Sequence, residues 1–258
     1  MLLVLLTLLF SLAPISGAVL TNAHAHNDYL HARPLFDALH HGFCSVEADI
    51  HLVNRELLVG HDLSETRPGR TLKKLYLEPL NQIARTNGNR IIGKGTFFLL
   101  VDIKSAAGPT FEALHLELRE YEPMLTRFPN GQANAVTVIL SGNRPLAEVR
   151  AQSNLLVAID GRLDETALVA DLPRPLVSDN WKKFFSWDGR GDFPPDQKEK
   201  LRSLVKRVHS EGRKIRFWGA PDHEAGWSVL LEAGVDLINT DKLGGLEEFL
   251  ARGAGLVK

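Results

Sequence analysis

The sequence predicts an α/β chain folded as a single-domain (β/α)8 (TIM) barrel. Short β-branched runs alternate with helical stretches eight times, and polar residues gather at the C-terminal ends of those runs. No Ser/Gly-rich linker or low-complexity segment divides the chain. The strands are expected at Val19–His24, Phe43–His51, Phe97–Lys104, Val136–Ser141, Leu155–Ile159, Pro175–Ser178, Lys214–Trp218 and Val235–Thr240. Helices are expected near Pro34–His41, Leu72–Thr86, Pro109–Tyr121, Pro145–Ala151, Asp164–Asp171, Pro195–Glu211, Glu224–Ala233 and Leu243–Arg252. Acids at Asp164, Glu165 and Asp196 suit helix starts, and Gly212 and Gly234 fall where helices should end. Asn54-Arg55, between two apolar runs, predicts a β-hairpin directly after the second strand.

The chain has 258 residues, with 30 Lys+Arg against 31 Asp+Glu, so a nucleic-acid platform with a basic stripe is excluded. The N-terminus departs from the soluble average of the rest. An apolar run from Leu2 to Leu12 precedes Pro14 and the small residues Ser16-Gly17-Ala18. That layout predicts a signal peptide over residues 1–18, an exported protein and a working barrel over 19–258; an uncleaved N-terminal anchor is the rival. Full membrane spans need roughly 20 apolar residues, more than this run supplies. The single cysteine, Cys44, lies in an apolar strand and reads as a packing residue.

In a barrel of this kind, chemistry belongs at the C-terminal strand ends. Alternation along Ser45–Ile50 puts Glu47 and Asp49 on one face and Val46, Ala48 and Ile50 on the other. Asp102 emerges from the next strand, after Phe97–Val101. Carboxylates this close repel one another unless a cation lies between them, so Glu47, Asp49 and Asp102 are the candidate ligands of one divalent cation, Mg²⁺ or Ca²⁺. Lys104 shares a face with Asp102 and is placed to meet a substrate anion. His61, followed by Asp62, comes after the hairpin and can fold over the same mouth. His24 and His26 share a face at the end of the first strand. As a His-x-His pair they could also ligate zinc, but no further histidines stand at the later strand ends.

These motifs carry a family resemblance. Glu47-x-Asp49, Val59-Gly60-His61-Asp62 and Asp102-x-Lys104 resemble the glycerophosphodiester phosphodiesterase and phosphatidylinositol-phospholipase-C-like superfamily. The stretch from His24 to Tyr29, with Arg33-Pro34-Leu35 and Ser45–Asp49, more narrowly resembles the "altered inheritance of mitochondria protein 6" branch; Ser141–Pro145, Arg216-Phe217-Trp218 and Asp236–Asp241 extend the likeness. The resemblance implies a metal-dependent phosphoric diester hydrolase. It implies an acid/base pair of His61 and a first-strand histidine, with His26 favoured and His24 expected in the same pocket. Lys104 and Trp218 match positions lining the phosphate and head-group pocket, and Asn27, Asn143 and Asn239 complete the candidate substrate-binding set. Three departures from the family pattern bear on the substrate. His26-Asn27-Asp28 stands where His-Arg-Gly is usual, so a phosphate-binding Arg is lost or replaced. The third acid is Asp102 rather than Glu, and Trp218-Gly219-Ala220-Pro221 replaces Trp-Thr-Val-Asn.

The expected ligand is a small-molecule or lipid phosphodiester. The aromatic run Trp181, Phe184, Phe185 and Trp187 is expected in the core, or alternatively at a peripheral membrane contact. Two other readings compete: a non-catalytic barrel binding phospholipid or polyol phosphate, and a zinc-dependent amidohydrolase-type hydrolase.

Overall fold

A computed structural model describes residues 18–254 apart from 130, 132 and 166–170. Nearly all of the expected leader, and five residues of the helix expected at Asp164–Asp171, lie outside the described residues. The strands are β1 (Leu20–Ala25), β2 (Phe43–Val53), β3 (Glu56–Val59), β4 (Phe97–Ile103), β5 (Val136–Gly142), β6 (Val157–Gly161), β7 (Leu176–Asn180), β8 (Lys214–Trp218) and β9 (Ile238–Thr240). All but β3 pair in parallel in the order β8-β7-β6-β5-β4-β2-β1-β9. A parallel bridge from Arg216 to Leu237 brings the two ends of that order together, so the ring is nearly closed. β3 instead folds back antiparallel on the end of β2, with Val53 opposite Glu56. Its two turn residues, Asn54 and Arg55, both take positive φ, as a tight hairpin requires. This pairing prolongs β2 two residues past the expected His51.

The helices are α1 (Phe36–His40), α2 (Glu78–Thr86), α3 (Ala107–Arg119), α4 (Leu146–Arg150), α5 (Trp181–Phe184), α6 (Pro195–Ser210), α7 (Glu224–Ala233) and α8 (Leu243–Ala254). Asp196 sits in the first turn of α6, and Gly234 closes α7 in the left-handed conformation. α5 is a short helix that the sequence did not signal. It belongs to the aromatic run, which is core: Trp181, Phe185 and Trp187 are buried and pack with Phe193 and Phe217. Among the described residues no helix is long and apolar enough to cross a membrane.

Strand alternation divides the apolar residues into two groups. Val46, Ala48, Leu99, Val101, Val138, Leu140, Val157 and Ile159 belong to the large core between sheet and helices. Leu100, Ile139, Ala158, Leu176 and Leu237 form a separate cluster, the floor inside the ring. Moving toward the C-terminal strand ends, the inward positions become polar: Glu47 and Asp49 on β2, Asp102 on β4, Ser141 on β5, Asp160 on β6 and Arg216 on β8. The floor excludes water from below, and the layer above it carries the charge.

The connection from β1 to α1 is held by a buried acid. Asp28 Oδ2 accepts the Leu35 amide at 2.6 Å and the Tyr76 hydroxyl at 2.9 Å. Leu35, fully buried at φ 64 and ψ −51, is the centre of a tight turn closed by Phe36 N–H to the Pro34 carbonyl at 2.8 Å. This conformation is strained for a leucine, and the Asp28 bond fixes it. Burial pushes the Asp28 carboxyl up to about 7, its two hydrogen bonds only partly opposing. The folded chain therefore holds this proton more tightly than the unfolded one. Its contribution to stability is largest near pH 4 and is lost as pH rises to about 7, at up to about 1.4 kcal/mol per pH unit. Unfolding free energies of Asp28→Asn and the natural chain, measured by urea titration from pH 4 to 8, should differ in slope across that window and run parallel above it.

Candidate active site

A cavity of about 420 Å³ opens at the C-terminal end of the ring. Glu47, Asp49 and Asp102 line it, each offering an oxygen within 4.8 Å of the others. Asp49 and Asp102 are directly paired across β2 and β4, which is why residues 53 apart in sequence meet. Gly142, at φ +66, makes room for the third acid: a β-carbon there would sit 2.1 Å from Asp102 Oδ1. Lys104 Nζ lies 3.2 Å from Asp49 Oδ2 and 3.3 Å from Asp102 Oδ1.

The charges of this cluster are not balanced by protein alone. Burial first, and then the neighbouring Glu47 charge, pushes Asp49 up to about 7, against the attraction of Lys104. Burial raises Asp102 as well. Asp49 Oδ1 is buried and receives no hydrogen bond among the described residues. Glu47 behaves oppositely: burial works against its charge, but the Arg216 guanidinium, together with the His24 hydrogen bond and His26, outweighs this and holds the carboxyl well below the usual range. An all-oxygen set with an unpartnered buried oxygen fits Mg²⁺ or Ca²⁺.

The two first-strand histidines part company. His26 lines the cavity; its Nδ1–H donates to Asp241 Oδ1 at 2.8 Å, leaving Nε2 toward Glu47 Oε1 at 3.9 Å. Burial disfavours its charged form, but the Asp241 hydrogen bond and the Glu47 charge together raise its pKa. Contrary to expectation, His24 does not reach the cavity. It lies one layer deeper, fully buried, with Nδ1 2.7 Å from Ser45 Oγ and Nε2 2.6 Å from Arg216 Nη1. A guanidinium can only donate, so Nε2 is the unprotonated acceptor and Nδ1–H donates to Ser45. Burial and then Arg216 push His24 down to about 4. Among the described residues the group placed to hold a metal is Glu47, Asp49 and Asp102, and neither histidine belongs to it.

His61 also lines the cavity, with its side chain 58% exposed and Nδ1 3.5 Å from Asp62 Oδ1. Its backbone is firmly held: the carbonyl accepts from His51 Nε2 at 3.0 Å, and the amide donates to Glu65 Oε2 at 3.1 Å. His51 is thus buried beneath His61. Asn27, Asn143 and Trp218 line the cavity as expected of substrate contacts. Asn239 does not; its Oδ1 accepts from Arg216 Nη1 at 3.1 Å.

Several residues of the site were not singled out from sequence. Tyr29 places its hydroxyl 2.9 Å from Asp49 Oδ2 and from Asn27 Oδ1. Asp241 orients His26. Arg216 and Arg162 both line the cavity, Arg162 with its guanidinium 4.9 Å from the Trp218 ring centre.

The sequence profile of the AIM6-like phosphodiesterase domain matches residues 15–156, over half of the chain. The chain belongs to the AIM6-like phosphodiesterase family. The profile of the glycerophosphoryl diester phosphodiesterase family matches residues 214–244. Altered inheritance of mitochondria protein 6 homolog of Arthroderma benhamiae is 29% identical over 259 residues, spanning 87% of this chain and 82% of its own length. The Lachancea thermotolerans protein of that name is 31% identical, spanning 87% of this chain and 64% of its own. A glycerophosphodiester phosphodiesterase from Parabacteroides distasonis shares the fold, with a TM-score of 0.56 at 16% identity, covering 92% of this chain and all of that one. So does an Oleispira antarctica phosphodiesterase, solved with its product sn-glycerol-3-phosphate, at a TM-score of 0.54 and 16% identity over 89% and 96% of the two chains.

In this member of the AIM6-like family, Asp241→Asn removes a contact that raises the His26 pKa. The His26 ring should therefore titrate at lower pH in the variant, as followed by NMR of its ring carbon-bound protons.

Proposed function

We propose that the chain is a metal-dependent phosphoric diester hydrolase acting on a glycerophosphodiester, a phospholipid head group or a related diester. The observation that carries this reading is the convergence of Glu47, Asp49 and Asp102 beside His26 and His61 in one cavity. The family of the chain and a fold neighbour holding sn-glycerol-3-phosphate support it. Glu47, Asp49 and Asp102 would hold one Mg²⁺ or Ca²⁺, which when bound would supply charge stabilisation to the phosphate oxygens.

The protein's own groups do the rest. Lys104, kept as an ammonium by Asp102 and Asp49 against the effect of burial, faces the phosphate charge. His26 is oriented by Asp241 with Nε2 free toward the cavity, and His61 can swing over the mouth on a fixed backbone. One takes a proton from the nucleophile, water or a neighbouring substrate hydroxyl, and the other gives one to the departing alkoxide.

EDTA should abolish turnover of bis-p-nitrophenyl phosphate or glycerophosphodiesters by residues 19–258, and Mg²⁺ or Ca²⁺ should restore it. His26→Ala and His61→Ala should each lose about 10²-fold or more in kcat; near-full activity in both would remove the histidine assignment. Gly142→Ala, whose β-carbon displaces Asp102, should weaken calorimetric ion binding. That binding should also weaken below about pH 7, where a proton competes for Asp49.

A further inference from the structure

Among the described residues three Lys or Arg side chains line the cavity, and two of them are committed to the carboxylates on its acidic side. Lys104 bridges Asp49 and Asp102. Arg216 is buried and bonded to Glu47, His24, Asn239 and Ser178. Arg162 pairs instead with Asp160, away from those acids. It follows β6, and with Trp218 at the end of β8 it stands across the ring from β2 and β4.

Arg162 is held rather than free. Nη1 donates to Asp160 Oδ2 at 2.8 Å and to the carbonyls of Gly161 and Asp160 at 3.0 and 3.2 Å, while Nη2 donates to Ser141 Oγ at 3.2 Å. Its guanidinium lies over the Trp218 indole, its side chain is only 17% exposed, and among the described residues no acceptor meets Nε. A fixed, largely desolvated guanidinium costs little entropy on binding and offers N–H donors suited to a carboxylate or phosphate. Arg162 also covers the indole face that a quaternary ammonium would otherwise use, and it repels such a group.

We propose that Arg162, backed by Trp218, selects phosphodiesters in which one esterified alcohol carries its own anionic group, a carboxylate or a second phosphate. This rests on the phosphodiesterase reading: with the diester phosphorus beside the carboxylates, His26 and His61, one substituent extends across the mouth to the Arg162 wall.

Two matched pairs test it. Glycerophosphoserine against glycerophosphoethanolamine isolates the carboxylate, and glycerophosphoinositol 4-phosphate against glycerophosphoinositol isolates the phosphate. The anionic member of at least one pair should be preferred by about tenfold in kcat/KM, mainly through KM, as expected of one charge-assisted hydrogen-bonding contact. Arg162→Gln, which keeps a donor near Asp160, and Arg162→Ala should bring that ratio close to one. Calorimetric binding of phosphoserine against phosphoethanolamine, and of inositol 1,4-bisphosphate against inositol 1-phosphate, reads the same preference without turnover. If no diester is cleaved but the anionic ligand still binds better through Arg162, the catalytic reading fails and the selectivity stands. Equal ratios in the natural chain by both measurements, or a preference that survives both variants, overturn the proposal.

Discussion

The site is organised around one buried guanidinium. Arg216 on β8 reaches across the ring to Glu47 on β2 at 2.5 Å, His24 on β1, Ser178 on β7 and Asn239 on β9. Five strands are therefore cross-linked by one side chain between the apolar floor and the cavity. Removing one partner of such a buried pair typically costs about 3–5 kcal/mol, because the other charge is left stranded. Arg216 also sets the electrostatic difference within the acidic cluster: Glu47 stays ionised and anchored, while Asp49, farther up the same strand, is forced toward its protonated form.

The same guanidinium explains why two histidines two residues apart are not equivalent. Both face the interior of the ring, but His24 is level with Ser45 and meets Arg216, whereas His26 lies beyond the end of β1 beside Asp241. Burial first and then Arg216 push His24 down, whereas at His26 the Asp241 hydrogen bond and the Glu47 charge together outweigh burial and raise the pKa. The polar interior is thus stratified. In the lower layer His24, Ser45, Glu47 and Arg216 hydrogen-bond one another, and the upper layer keeps unpartnered carboxylate oxygens and a partly exposed imidazole available for ligands.

Fold neighbours at 16% identity share this architecture because it depends on apolar layers and parallel register, which many side-chain combinations satisfy. The walls of the mouth are less constrained. Asn27 lines the mouth near the end of β1, and Arg162, after β6, lines its far wall. Loops beyond the strand ends tolerate variation because the ring beneath them bears the packing.

Local pattern in the sequence determined the barrel and the acidic cluster. Period-two alternation put Glu47 and Asp49 on one face, an apolar run delivered Asp102, and the Asn54-Arg55 turn returned β3 onto β2. These features depend on residues close together in the chain, so periodicity exposes them. Depth and partnership were decided only in three dimensions. His24 and His26 have the same facing and spacing, and only the arrival of Arg216, 192 residues away from His24, separates them. Asn239 reads as a ligand contact until that same arginine claims it, and Arg162 reads as a loop residue until ring closure sets it against Trp218. Side-chain period reveals which way a residue points; what it meets there depends on long-range contacts that only the closed ring creates.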